Sequence, residues 1–123
     1  MGKFEVKTSP KGVSFNLLAT NGQVVATSQV YKSLRSAKQG IASVSKNAPA
    51  AALEDQTEEG FEKKQMPKFE VYTDKAGKTR FRLKAKNGQI IAVGEAYETR
   101  KACLAGVESV RKNAVDAKIV DAQ

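Results

Sequence analysis

The feature of this sequence that most restricts its fold is a short unit that occurs twice. Residues 3–6 (KFEV) recur as residues 68–71, and Asn21-Gly22-Gln23 recurs as Asn87-Gly88-Gln89. Further identities continue to residues 46–48 (KNA) and 112–114 (KNA). Repetition at this period predicts two copies of one supersecondary unit, each too small to bury a large core alone. We therefore assign residues 1–56 to a first repeat, 57–67 to a linker and 68–123 to a second repeat, which together form one compact domain.

Each copy begins with alternating apolar and polar residues, which predicts strands with one buried face. Phe4 and Val6 mark the first strand, and Phe15 and Leu17 mark the second. The following Asn21-Gly22 predicts a two-residue type I′ hairpin turn, which leads into a third strand. This register places Leu18 beside Val25, and its counterpart places Lys84 beside Ile91.

A helix follows the third strand in each copy. Ser33 and Thr99 are typical N-cap residues, and apolar residues recur behind them at helical spacing. Residues 51–55 and 117–121 then form one short strand each. The order β-β-β-α-β in each repeat predicts an α+β protein.

These residues resemble the YegP-like family of small bacterial proteins. The resemblance rests on the Phe-x-Leu-x-Ala strand, the Asn-Gly hairpin, the tyrosine before the helix, and the Ser-Val-x-Lys-Asn helix end at residues 43–47 and 109–113. It implies that both repeats form one antiparallel sheet with two helices on one face, and that the C-terminal strands of the two repeats are exchanged. Residues 51–55 would then pair with the second repeat and residues 117–121 with the first. The resemblance implies no activity.

Composition narrows the classes of function. The chain has a net charge of +8, a single cysteine and no histidine. Without histidine, neither the usual Ser-His-Asp and Cys-His catalytic systems nor His-containing zinc sites can form. Cys103 lies on the predicted buried face of the second helix. We expect no catalytic residue, no metal site, no cofactor and no enzyme activity.

The compartment is inferred from the same features. Nothing in the sequence is apolar for long enough to span a membrane, and residues 1–6 lack the apolar core of a secretory signal. One cysteine cannot form an internal disulfide, so no oxidising compartment is required. We expect a cytoplasmic protein with no membrane partner.

The basic strand is the first candidate binding surface. Its four cations alternate with buried residues, so they are predicted to project from one face of the sheet; they are Arg80, Arg82, Lys84 and Lys86. A row of cations suits the phosphate backbone of nucleic acid. It is also typical of an ordinary solvated sheet face, and only Tyr72 is predicted to supply a stacking ring there.

An apolar patch is the second candidate. Leu18, Val25, Ile91 and Val93 are predicted on the face of the sheet that the helices leave bare, where they form a surface for a protein partner or for self-association. Lysine side chains can also cover such residues. The favoured function is therefore a small non-enzymatic interaction or binding module. Sequence-nonspecific nucleic-acid binding through the basic strand is the alternative.

Overall fold

The computed structural model describes residues 2–121. Met1, and residues 122 and 123 of the predicted second repeat, lie outside the described residues. The elements follow the same order in both halves of the chain. They are β1 (Lys3–Ser9), β2 (Gly12–Leu18), β3 (Val24–Thr27), α1 (Leu34–Asn47) and β4 (Ala52–Asp55), then β5 (Lys68–Thr73), β6 (Thr79–Lys84), β7 (Ile90–Val93), α2 (Arg100–Asn113) and β8 (Lys118–Asp121).

All eight strands form one sheet in the order β4-β5-β6-β7-β3-β2-β1-β8. The two halves meet where β3 pairs with β7. The strand that follows each helix lies at the far edge of the other half, because β4 pairs with β5 and β8 pairs with β1. Each half therefore depends on the other to complete its edge.

The prediction of an antiparallel sheet is wrong for the two edge pairs. The five inner pairs are antiparallel, whereas β4–β5 and β1–β8 are parallel, so the sheet is mixed. A strand places alternate side chains on opposite faces whichever way it runs, so the sequence does not show whether these short strands pair in parallel or antiparallel.

The parallel pairing of β4 with β5 requires the chain to turn back between them. Ala52 lies beside Lys68 and Asp55 beside Val71, so the two strands start at the same end of the sheet. After β4 the chain must therefore return to that end before β5 begins. A parallel pair needs a crossover connection of about a dozen residues or more. Residues 56–67 supply it without forming a helix or a strand.

One core lies between the sheet and the two helices. The four largest buried side chains are phenylalanines from equivalent strands of the two halves, Phe4, Phe15, Phe69 and Phe81. They pack with Ile41 and Val44 of α1 and with Val107 and Val110 of α2 in a single cluster. Both helices therefore cover the same face of the sheet, and we call the opposite face the outer face.

Each helix begins at the predicted cap and passes close to the sheet at a glycine. The side chains of Ser33 and Thr99 accept hydrogen bonds from the backbone N–H groups of Ser36 and Ala102. A Cβ atom added at Gly40 would lie 2.3 Å from the hydroxyl oxygen of Tyr31. The same addition at Gly106 would lie 2.3 Å from the hydroxyl oxygen of Tyr97. The glycines are needed because a tyrosine ring lies against each helix.

The Asn-Gly turns differ from the predicted two-residue type I′ hairpin. Of the two residues, only Gly22 has a positive φ, of 85°. The backbone N–H of Ala19 donates to the carbonyl of Gln23, and the N–H of Gly22 donates to the carbonyl of Ala19. The loop therefore has three residues. Asn21 accepts the N–H of Gln23 through its side chain, which stabilises this longer turn.

Candidate functional site

Two of the four predicted cations lie beside one carboxylate on the outer face. Arg82 is directly across the β5–β6 pair from Glu70, as the sequence predicts. The Nε atom of Arg82 lies 2.6 Å from Oε1 of Glu70, and Nζ of Lys84 lies 3.3 Å from the same oxygen. The Arg82 guanidinium also stacks 4.7 Å above the ring of Tyr72. Glu70 therefore offsets part of the positive charge of this strand.

The other two cations lie apart from that pair. Arg80 donates to the carbonyl of Gly94 and is 3.9 Å from Asp74. Lys86 lies beyond the end of β6, in the turn before β7, where it borders α1 rather than the outer face. The four cations therefore do not form the continuous row that alternation predicts, since the strand ends at Lys84. Nucleic-acid binding by this strand stays a prediction.

The sequence did not reveal that Glu70 belongs to a larger buried group. Nζ of Lys68 lies 2.9 Å from Oε1 of Glu54 and 3.1 Å from Oε2 of Glu70. The side chains of Glu54, Lys68 and Glu70 are only 0%, 6% and 4% exposed. We call these three residues, with Arg82 and Lys84, the ion cluster. The only sequence signal for it was the Glu70–Arg82 pair, because Glu54 reaches it through the exchanged strand.

The linker closes over the ion cluster. The backbone N–H of Lys64 donates to Oε1 of Glu54 at 2.7 Å, and the side chain of Gln56 donates to Oε2 at 2.6 Å. At the start of the crossover, Arg100 of α2 binds Asp55 and Glu58 at 2.5 Å and 2.8 Å. The bond from Lys64 to Glu54 holds the linker against the outer face of β4 and β5, which we call the covered half.

Hydrogen bonding keeps the buried carboxylates ionised. Burial by itself raises the pKa of Glu54, but hydrogen bonds from Gln56, Lys68 and the backbone of Lys64 outweigh it and lower that pKa to about 2. Burial also acts to raise the pKa of Glu70, and its bonds from Arg82, Lys68 and Lys84 lower it on balance. The hydrogen bond to Glu54 raises the pKa of Lys68. Glu54, Lys68 and Glu70 are therefore all charged at neutral pH.

The corresponding surface of the first repeat has no such cover among residues 2–121. On the outer face of β8, β1 and β2, which we call the uncovered half, Lys3 is exposed and Glu5 is half-buried. Glu5 lies between Asn16 on β2 and Val120 on β8, in the positions that Arg82 and Glu54 occupy around Glu70. The uncovered half therefore lacks the ion cluster as well as the linker.

The predicted apolar patch does not form as proposed. Val25 and Ile91 are buried in the core, 8% and 7% exposed. The three-residue turns shift the register by one, so Leu18 pairs with Val24 and Lys84 with Ile90. A β-bulge then restores the predicted register at Leu17–Ala26 and Leu83–Ala92. Placing Val25 and Ile91 on the outer face was wrong because the sequence does not reveal the bulge.

The remaining residues of that patch stay on the outer face. Leu18 is half-buried beside Val24 in the uncovered half. Val93 is half-buried between Arg82 and Thr27, where the two halves of the sheet meet. Leu18 and Val93 therefore lie in different parts of the outer face.

Cys103 is fully buried in the core, as its place on the helix predicts. Burial raises the pKa of its thiol to about 11, so the thiolate needed for nucleophilic or metal chemistry is disfavoured. Within residues 2–121, no three acidic or cysteine side chains are grouped to hold a metal ion. Over the same residues, neither helix combines the length and the apolar character required to cross a bilayer.

Comparison with known proteins agrees with this architecture. The family model described as a domain of unknown function (DUF1508) matches residues 11–55 and again residues 74–121. YegP of Yersinia pestis, a UPF0339 protein, is 38% identical over 122 residues, which is 98% of this chain and 96% of that protein. The chain belongs to the YegP-like UPF0339 family. The resemblance noted from the sequence is thereby confirmed.

Two further UPF0339 comparisons concern the fold and the repeat. The solution structure of YegP from E. coli, described as a protein of unknown function, has a TM-score of 0.79 and 34% identity, and covers 98% of this chain and 91% of that one. A UPF0339 protein of Treponema denticola is 67% identical over 54 residues, which is 44% of this chain but 93% of the relative. That UPF0339 relative is about one repeat long. These names state no activity, substrate or partner.

Proposed function

We propose that the protein is a non-catalytic binding module of the bacterial cytoplasm, and that it recognises an extended peptide segment of a partner protein on the uncovered half of its sheet. The observation that carries the proposal is the difference between the two halves. Lys68 and Glu70 are buried beneath a peptide segment of the chain itself, whereas their counterparts Lys3 and Glu5 are not. The linker thus serves as an example of a segment that fits this kind of sheet surface.

The shape of the uncovered half favours an extended occupant. A groove of about 510 Å³ runs along its edge and is lined by Gly2, Lys3, Asp116, Lys118 and Val120. Volumes of this size are typical of ligand-binding clefts. An extended segment also offers side chains on alternate sides, so that one set can fill such a groove while the other faces water.

The chemistry of the surface indicates which peptides would bind. Leu18, Val24 and Val120 supply apolar contact. Lys3 and Lys118 lie side by side in the β1–β8 pair and outnumber Asp116, the one carboxylate among the residues that line the groove. A segment that carries an acidic residue next to an apolar one complements both features. The apolar contacts would supply affinity, and the two lysines would fix the register of the peptide.

Three features support a non-catalytic role. The chain contains no histidine, its thiol is buried, and the buried carboxylates are held in ion pairs rather than directed at a cavity. The cytoplasm is proposed because a single cysteine cannot form an internal disulfide. Nucleic-acid binding remains the alternative, although the contacts of Glu70 with Arg82 and Lys84 reduce the charge available to phosphates.

The test is selection of unstructured 12-residue peptides from a random library on the full-length protein, followed by NMR mapping of the bound sites. We expect enriched peptides to shift the amide signals of β8, β1 and β2. Leu18→Lys should lower the affinity for these peptides by about tenfold or more. Ile90→Lys is the matched control, since Ile90 is the counterpart of Val24 in the other half. Failure to enrich peptides, shifts on the helices, or equal loss in both variants would overturn the proposal.

A further inference from the structure

The helix side of the molecule has a groove that the proposed function does not use. It runs between α1 and the turn that joins β6 to β7, and it consists of two adjoining depressions of about 400 and 370 Å³ that share Gln39, Ser43 and Asn87. Tyr31, Gln29 and Gln89 line the first depression. Lys46 and Lys86 line the second. We call the two together the α1 groove.

The geometry of α1 explains how this groove forms. Gln39, Ser43 and Lys46 are spaced by four and three residues, which places them on one side of the helix. Gly40 has no side chain, and this lets the ring of Tyr31 approach the helix and form the base of the groove. Burial raises the pKa of Tyr31, so its hydroxyl is protonated and able to donate a hydrogen bond at neutral pH.

The second repeat provides an internal control for the residues of the α1 groove. At the positions equivalent to Ser36 and Gln39 it has Ala102 and Ala105, and Thr20 is the counterpart of Lys86. The second repeat nevertheless forms the same helix, with its tyrosine packed against the equivalent glycine. Folding therefore does not require the polar side chains of the α1 groove.

The charges of the two equivalent surfaces also differ. Among the described residues that line the α1 groove there are two lysines and no carboxylate. In the second repeat, Glu108 stands where the first has Ala42, and Glu95 where the first has Gln29. The depression beside Lys112, which corresponds to Lys46, is also lined by Arg111, which pairs with Glu108. An anion is consequently attracted more strongly to the α1 groove, which has two lysines and no carboxylate, than to its counterpart.

We propose that the α1 groove binds a small phosphate monoester with a hydroxyl-bearing body, such as a sugar phosphate. The phosphate lies between the ammonium groups of Lys46 and Lys86, since two lysines balance a phosphate dianion. The hydroxyl groups lie against the amides of Gln39 and Gln89 and the hydroxyl of Tyr31. Amide side chains both donate and accept hydrogen bonds, as sugar hydroxyls require.

The size and position of the α1 groove agree with such a ligand. A volume of about 400 Å³ is at the small-molecule end of the usual range for binding sites. The groove is on the opposite side of the sheet from the uncovered half, and it is formed by side chains of both repeats. Its ligand is therefore independent of the peptide proposed above.

The experiment is an NMR titration of the full-length protein with glucose 6-phosphate and, separately, with ribose 5-phosphate, glucose and inorganic phosphate. We expect shifts confined to α1 and residues 85–91, strongest binding for a sugar phosphate, weaker binding of phosphate, and none for glucose. Lys46→Ala and Lys86→Ala should each weaken the binding of the sugar phosphate about tenfold, the usual scale for loss of one charge-assisted contact. Lys112→Ala is the matched control for Lys46→Ala and should leave binding unchanged.

A second variant separates the sugar contacts from the charge. Gln39→Ala should weaken glucose 6-phosphate and leave inorganic phosphate unaffected, and it should fold because the second repeat folds with alanine there. The proposal would be overturned if neither sugar phosphate shifted the signals of the α1 groove, or if Lys46→Ala and Lys112→Ala weakened binding equally. Tighter binding of a 5′-phosphorylated oligonucleotide elsewhere on the protein, with no response to sugar phosphates, would assign the phosphate chemistry to nucleic acid instead. If Leu18→Lys still binds the sugar phosphate, the α1 groove binds its ligand independently of the uncovered half.

Discussion

The covered and uncovered halves of the outer face are built on equivalent strands with nearly identical starting sequences, yet their outward side chains differ in exposure to solvent. KFEV at residues 68–71 forms a buried ionic surface, while KFEV at residues 3–6 leaves its lysine exposed. The difference does not come from these four residues. It comes from their neighbours, because Arg82 and Glu54 flank Glu70 where Asn16 and Val120 flank Glu5. The linker also crosses only one of the two parallel edge pairs.

The topology explains this asymmetry. β4 and β5 are consecutive along the chain and parallel, so their connection must cross a face of the sheet, and the helices already occupy the other face. β8 and β1 are also parallel, but they are the last and first strands described and have no direct connection between them. Burial of a lysine and two glutamates then requires mutual pairing, since an unpaired buried charge is strongly destabilising.

The largest expected effect is at the centre of the ion cluster. Lys68→Ala leaves Glu54 and Glu70 buried beside each other without their shared cation, and we expect a loss of about 3–5 kcal/mol in the free energy of unfolding. Lys3→Ala, the same change in the uncovered half, should cost less than about 0.5 kcal/mol. Urea denaturation of both variants measures the comparison. Equal losses would mean that the linker does not alter the environment of the repeat.

The next largest difference is expected in how the stability of the covered half depends on pH. The pKa of Glu54 is lowered from 4.5 to about 2, so its contribution to stability is present above pH 5 and is lost as the pH falls toward 2. The shift corresponds to a contribution on the order of 3 kcal/mol. Glu54→Gln should remove this part of the pH dependence, as measured by urea denaturation at pH 7, 4 and 2.5. If the free energy of unfolding of the variant fell with pH as steeply as that of the original protein, Glu54 would not be responsible.

The linker itself can be tested by removing one hydrogen bond. Lys64→Pro eliminates the backbone N–H that donates to Glu54, and a bond to a charged acceptor is worth about 1.5–3 kcal/mol. Lys63→Pro is the matched control and should have a smaller effect. Hydrogen exchange at Lys68 and Glu70 should become faster in the first variant only. If both prolines act alike, the loss reflects the restricted backbone of the linker rather than this bond.

The helix side should show the two halves behaving alike. Gly40→Ala and Gly106→Ala both place a methyl group against a tyrosine hydroxyl, and we expect similar losses of about 1–3 kcal/mol. Tyr31→Phe added to Gly40→Ala, and Tyr97→Phe added to Gly106→Ala, should each recover part of the lost free energy of unfolding. Thermal denaturation of the two single and two double variants is sufficient. Unequal losses would show that the repeats have diverged in their core as well as on their surfaces.

Much of this protein was determined by the sequence alone, through signals that depend on neighbouring residues. The eight strands, the two capped helices and the buried Cys103 all follow from periodicity and local hydrogen bonding. The pairing of Glu70 with Arg82 also followed, because a hairpin places its opposite residues within a short stretch of chain. These features have the same cause in either repeat.

Only the tertiary structure decided the features that join distant parts of the chain. Glu54 reaches Lys68 because β4 pairs with the other repeat in the parallel direction, and no local pattern encodes that direction. Val25 and Ile91 turn into the core because each hairpin contains a bulge. The physical reason is the same in each case: burial and charge pairing depend on which surface a segment meets, and only the folded chain brings those surfaces together.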